Sequence, residues 1–171
     1  FGGKVAGAVV AATASSSAAS TASASSATAP IPDGFPEGLP HDLPSLLRLL
    51  EALTALARAA RARNQGRFIG VTGSVGKTGT KEALRLALSR DGETHASAAS
   101  YNNHWGVPLS LARTPATAKY AVLEMGMNHA GEIRTLVGRA EPDVRVWTNV
   151  GDAHIGHFGT REAIAEAKAE I

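Results

Sequence analysis

The chain has 171 residues, enough for one domain with a real core, and its formal net charge of +2 is too mild and too scattered to mark a nucleic-acid surface. It has no cysteine, which excludes disulfides and thiolate metal sites and fits a reducing, cytoplasmic setting. No apolar run approaches the ~20 residues that cross a bilayer, so neither nucleic acid nor membrane is expected as a partner.

Residues 1–41 form a low-complexity segment expected to be disordered or artefactual. Every residue from Ala11 to Ala29 is Ala, Ser or Thr, with almost nothing bulky to bury against the entropy cost of ordering. Lys4 to Val10 could pass for part of a signal peptide, but the chain starts at Phe1 and the apolar run is short; a frame-shifted end reads equally well. From Asp42, Leu46, Leu49, Leu50, Leu53 and Leu56 recur at helical spacing until Asn64-Gln65-Gly66 supplies a stop. Residues 42–66 therefore read as an amphipathic connecting helix with Arg58, Arg61 and Arg63 on its wet face.

Beyond it, apolar runs alternate with helical patterns. Phe68 to Val71, Tyr120 to Leu123 and Val144 to Val150 read as buried strands, with Thr94 to Ala96 a further short one. Lys77 to Ser89 and Glu132 to Arg139 read as helices, another begins near Val107-Pro108, and Arg161 to Ile171 is a helical run with no stop signal. The alternation predicts an α/β fold: a mostly parallel sheet with helices on both faces.

The strongest single feature lies where the first strand meets its helix. Thr72-Gly73-Ser74-Val75-Gly76-Lys77-Thr78 follows an apolar strand and opens a helix, the context in which a glycine-rich loop wraps phosphate oxygens at a helix N-terminus. Lys77 would reach the β- and γ-phosphates and the Thr78 hydroxyl would ligate Mg²⁺. The common pattern asks for glycine where this chain has Val71, so the match is to a variant, with Gly79 following. The loop reads as ATP-binding through Thr72, Gly73, Ser74, Val75, Gly76, Lys77, Thr78 and Gly79. A glycine-rich turn beside a surface lysine is the bland alternative. No Asn-Lys-x-Asp run supports guanine.

This loop is followed in order by Tyr101-Asn102-Asn103-His104-Trp105-Gly106-Val107-Pro108, by Glu124-Met125-Gly126-Met127-Asn128-His129-Ala130-Gly131-Glu132-Ile133, and by Thr148-Asn149-Val150-Gly151-Asp152-Ala153-His154. Together these blocks resemble the central ATPase domain of the Mur ligases, over residues 67–171. The blocks that start at Tyr101 and Glu124 are most like those of the family member that joins D-alanyl-D-alanine to a UDP-N-acetylmuramoyl-tripeptide. Folylpolyglutamate synthases share the chemistry, but usually show Gly-Lys-Gly-Ser where this chain has Gly76-Lys77-Thr78-Gly79, and lack the Tyr-Asn-Asn block.

The resemblance implies a partial central domain of a cytoplasmic, monomeric ligase of peptidoglycan precursor synthesis. ATP phosphorylates a substrate carboxylate, and an amine attacks the acyl phosphate to form an amide. It also implies catalytic roles for Lys77, Glu124, His154 and Lys168. Thr78 and Glu124 become Mg²⁺ ligands, His154 lies near a second Mg²⁺, and Lys168 matches a lysine that CO₂ carbamoylates into an oxygen ligand. Without the resemblance, Glu124 reads as a capping or surface glutamate, His154 as a loop histidine and Lys168 as one exposed helix lysine among others. Asn102 and Asn103 precede a helix; Asn103 is taken as substrate-binding, while Asn102 reads equally as a cap. Asn128 and His129 receive no chemical role, His157 and Phe158 are ordinary loop residues, and Trp105 and Trp147 are core or rim aromatics. A module that binds nucleotide without turnover is the reading from another class.

Overall fold

The computed structural model describes residues 42–171, so the expectations for residues 1–41 lie outside the described residues. A four-stranded, wholly parallel sheet is ordered β2-β3-β1-β4, built from β1 (Arg67–Thr72), β2 (Thr94–Ala96), β3 (Tyr120–Glu124) and β4 (Val144–Trp147). The helices are α1 (Leu43–Arg63), α2 (Lys77–Leu88), α3 (Gly106–Ala112), α4 (Glu132–Ala140), the short α5 (Ile155–Phe158) and α6 (Arg161–Ala169).

Strand alternation sends side chains to two cores. Phe68, Ala121 and Leu123 join one cluster with Ala57, Val107, Leu111, Ile133, Leu136 and Ile164, from α1, α3, α4 and α6. Ile69, Val71 and Val122 face the opposite side, where Leu84 and Leu88 of α2 cover them. Helices therefore lie on both faces, as the alternation predicts. Each fully buried large side chain contributes about 1.5–3 kcal/mol, so the larger cluster carries most of the stability.

Several local expectations change. The buried residues of α1 are Ala57 and Ala60 rather than its leucines, and Leu56 is 62 % exposed. Small residues let this helix lie close against its neighbours. Arg61, expected on the wet face, instead donates through Nε to Ala140 O and lies 4.2 Å from the Phe68 ring centre. A cation is favourable there, at the carbonyl end of α4.

The strand expected from Val144 to Val150 ends at Trp147, because the next residues turn to the phosphate loop: Asn149 O accepts from Ser74 N and Asn149 Oδ1 from Val75 N. It is also an edge rather than a buried strand among the described residues, with Trp147 40 % exposed. His157 and Phe158, read as loop, lie in α5, and Phe158 packs on the larger core.

Candidate functional site

The phosphate loop, Glu124 and the block that ends at His154 follow the carboxyl ends of β1, β3 and β4, where an open α/β sheet leaves a crevice between strand ends and helix starts, and Lys168 comes from α6. Between β1 and α2 the chain must turn sharply. Gly73 has φ +150 and a Cβ there would sit 1.9 Å from Thr148 Oγ1; Gly76 has φ +81, and nothing stands within 4 Å of its Cβ position. Gly73 is thus demanded by backbone and space, Gly76 by backbone alone. No side chain caps α2, so the N–H groups of its first turn face the loop as donors for an anion.

The other loop residues divide by role. Thr72 is wholly buried and its hydroxyl donates to Met125 O over 2.8 Å, joining β1 to the end of β3. Ser74 Oγ accepts from Gly151 N and donates to Gly151 O, while Val75 is exposed at the tip. The Lys77 ammonium folds back on the loop, donating to Gly73 O at 2.7 Å. Burial lowers its pKa, against an opposing pull from the Glu124 carboxylate.

Glu124 ends β3 and is 1 % exposed. Its Oε2 accepts from Thr78 Oγ1 at 2.8 Å and its Oε1 from Asn102 Nδ2 at 2.8 Å. A surface or capping glutamate would show neither burial nor this pair of partners. Two hard oxygen donors thus meet beside the phosphate loop, as a small divalent cation requires. Among the described residues no three His, Cys, Asp or Glu side chains form a cluster that could hold a metal ion. A cation at Thr78 and Glu124 would complete its coordination with water and nucleotide oxygens, the usual arrangement for Mg²⁺.

Two cationic or potentially cationic groups approach from the other side. Lys168 is 1 % exposed, because Ile164, Ala167, Lys168 and Ile171 share the buried face of α6. Burial first, and the Lys77 charge second, lower its pKa to about 8. His154 is held in the left-handed region with φ 72 at the start of α5. Its pKa is lowered by burial, then by the Lys168 and Lys77 charges, with a smaller opposing effect from Glu132. Lys77, His154 and Lys168 therefore share one electrostatic neighbourhood, and an anion placed among them would relieve their repulsion.

A cleft of about 360 Å³ opens beside this cluster, lined by Lys77, Asn102, Asn103, His104, Gly126, Met127, Asn128, Glu132, Thr135, Leu136 and His154. Asn103 borders it, but its Oδ1 accepts from Trp105 N and Gly106 N at the start of α3. The side-chain contacts at the start of α3 are made by Asn103, whereas Asn102 reaches Glu124. The Asn128 and His129 N–H groups donate to Glu132 Oε2, which closes the turn before α4.

A family model described as the Mur ligase middle domain matches residues 71–171. The chain belongs to the Mur ligase family. It is 46 % identical over 124 residues to the UDP-N-acetylmuramoyl-tripeptide--D-alanyl-D-alanine ligase of Bacillus subtilis, covering 71 % of this chain and 27 % of that protein. It is 44 % identical over 121 residues to the same-named ligase of Rickettsia prowazekii, with the same shares. Among solved structures, MurF from Acinetobacter baumannii superposes with a TM-score of 0.69 at 41 % identity, covering 71 % of this chain and 27 % of that one. MurF ligase from Thermotoga maritima, in complex with ADP, gives 0.67 at 41 % identity, covering 71 % and 29 %. The chain spans about a quarter of the length of the curated relatives it matches.

Within this Mur ligase domain, several functional contacts escape sequence reading. Asn149, which holds the Ser74 and Val75 amides, sits in a recognised block but carries no spacing signal. Ser97, whose Oγ accepts from Glu124 N, lies in an Ala/Ser stretch that looks featureless. Lys168 did carry a signal: it occupies an apolar position of the α6 stripe, where a lysine is buried rather than one solvated residue among others.

Proposed function

We propose that this chain is the phosphate-binding wall of an ATP-dependent ligase that joins D-alanyl-D-alanine to a UDP-N-acetylmuramoyl-tripeptide in peptidoglycan precursor synthesis. The observation that carries the proposal is the buried Glu124 carboxylate, which accepts from Thr78 at the start of the phosphate loop's helix while Lys77, His154 and Lys168 converge beside it. In this reading the loop amides and Lys77 hold the β- and γ-phosphates. Mg²⁺ at Thr78 and Glu124 supplies charge neutralisation when bound.

A pKa lowered to about 8 supports this reading, because it brings neutral Lys168 amine within reach of near-neutral pH. The Nζ lone pair adds to the carbon of CO₂ and an N–H proton leaves to water, giving a carbamate. That change turns a cation amid like charges into an oxygen donor facing them. His154, whose pKa is lowered first by burial and then by neighbouring positive charge, keeps a lone pair for a ligand or a proton. Asn103 Nδ2 remains available to substrate at the border of the cleft.

A graft tests the proposal. Residues 67–171 replace the matching segment of the Bacillus subtilis relative, and ADP release is followed with UDP-N-acetylmuramoyl-tripeptide and D-alanyl-D-alanine. ADP release that requires both substrates supports it. Release that accepts another amine equally well, or that ignores the tripeptide, contradicts it. The isolated chain is expected to bind nucleotide and form no amide.

A further inference from the structure

Lys81 lies on α2, one turn beyond Lys77, and is 0 % exposed. Its ammonium donates to Ser97 O at 2.7 Å and Ala99 O at 2.8 Å, and lies 3.0 Å from Glu82 Oε1. Each of its N–H donors therefore has a partner. An apolar side chain would fill the same space without the cost of desolvating a charge, so the ammonium is explained by what it holds.

It holds the segment that leaves β2 and returns to the site. That segment includes Ala99 at φ 43, a backbone conformation uncommon for a residue with a Cβ. It touches the end of β3 at both of its own ends. Ser97 N donates to Val122 O, and Ser97 Oγ accepts from Glu124 N. Asn102 O accepts from Gly126 N at 2.7 Å, and Asn102 Nδ2 donates to Glu124 Oε1. The Glu124 carboxylate is thus fixed by α2 through Thr78 and by this segment through Asn102. Lys81 is the bridge between them, rooted in α2 and bonded to the segment.

We infer that Lys81 is a positioning residue for the cation–phosphate site, clamping residues 97–102 to α2 so that Asn102 orients Glu124 toward a divalent cation. The inference rests on the reading of Thr78 and Glu124 as the cation's protein ligands. Hydrogen-bond partners behind a metal-binding carboxylate set its orientation, and losing one costs about 10- to 100-fold in metal affinity. Removing the Lys81 ammonium leaves the glycine turn, Lys77 and the Thr78 bond in place. It therefore acts on the cation-dependent part of nucleotide affinity and spares the rest, a selectivity that a general packing role lacks.

The test compares ATP affinity with and without Mg²⁺, by calorimetry on the 171-residue chain, for the wild type, K81M, K81Q, N102A and E124Q. E124Q should abolish the gain in affinity that Mg²⁺ brings. K81M and N102A should cut that gain by about 10- to 100-fold with Mg²⁺-free affinity unchanged, and K81Q, which keeps two donors, should lose less. A full Mg²⁺ gain in E124Q overturns the underlying reading of the cation ligands. A full gain in K81M and K81Q beside a lost gain in E124Q overturns the role of Lys81 alone. Equal losses with and without Mg²⁺ in K81M, or failure of both Lys81 variants to fold, make it a core residue and also overturn the inference.

Discussion

The Thr78 hydroxyl donates to Glu124 Oε2 across 2.8 Å, joining the first turn of α2 to the last residue of β3. These residues are 46 apart in sequence, and the parallel register of β1 with β3, Val71 opposite Glu124, brings them together. A carboxylate that already accepts from a hydroxyl beside a phosphate loop needs little rearrangement to share a cation with it.

This contact gives the first prediction. Thr78→Val keeps the shape and removes the oxygen, whereas Thr78→Ser keeps the oxygen. The valine variant should lose about tenfold or more of the Mg²⁺-dependent gain in ATP affinity, and the serine variant little. Calorimetric titration with and without Mg²⁺ checks this, and equal behaviour of the two variants would count against cation binding at Thr78.

The two loop glycines should differ in cost. Gly73→Ala meets both a left-handed backbone and an overlap with Thr148, and should destabilise by about 3 kcal/mol or more. Gly76→Ala meets backbone strain alone, at about 1 kcal/mol. Urea unfolding of both variants measures the difference, and equal costs would mean that Thr148 moves aside.

Lys168 makes stability depend on pH in a defined direction. Its folded pKa of about 8 lies below the ordinary lysine value of 10.5, so between them the unfolded chain binds more protons and stability rises with pH. Below about pH 8 the cost of burying the charge is felt in full. In CO₂-free buffer Lys168→Met should therefore be more stable than the wild type at pH 7, with the advantage shrinking as pH climbs from about 8 toward 10.5. Chemical unfolding across that range tests it; a constant difference would show that Lys168 does not titrate there.

His154 reports the same neighbourhood. Its NMR titration in the wild type should fall below the ordinary value of 6.5, and Lys168→Met should move it upward by removing the lysine with the larger effect on it. Part of the depression should persist, since burial is its first cause. An unmoved His154 titration in that variant would place Lys168 too far away to share the site.

Much of this architecture is legible in the chain because local and global signals agree. The apolar run into Gly73, the helix after Gly76 and the strand ending at Glu124 each follow from spacing and residue type. The mismatches occur where tertiary partners decide. Asn102 and Asn103 are neighbours of the same type, and only the fold shows that Asn103 bonds the start of α3 while Asn102 faces Glu124. The leucines of α1 looked like its core face, yet Ala57 and Ala60 are the buried pair, because close approach selects small side chains. Val144 reads as interior from its apolar run, but it stands on the sheet's outer strand among the described residues, and Trp147, read as core or rim, lies at the rim. The burial of Lys168 follows from its place in the apolar stripe of α6, although helix lysines are ordinarily solvated.

The most direct test of the central claim is phosphorus NMR of ATP titrated with the 171-residue chain in the presence of Mg²⁺. Binding through the loop and Lys77 predicts that the β- and γ-phosphorus resonances shift more than the α resonance, that Lys77→Ala abolishes the shift, and that Glu124→Gln needs more chain to reach it. Unperturbed phosphorus resonances at saturating chain, or the same shifts in both variants, would contradict the account.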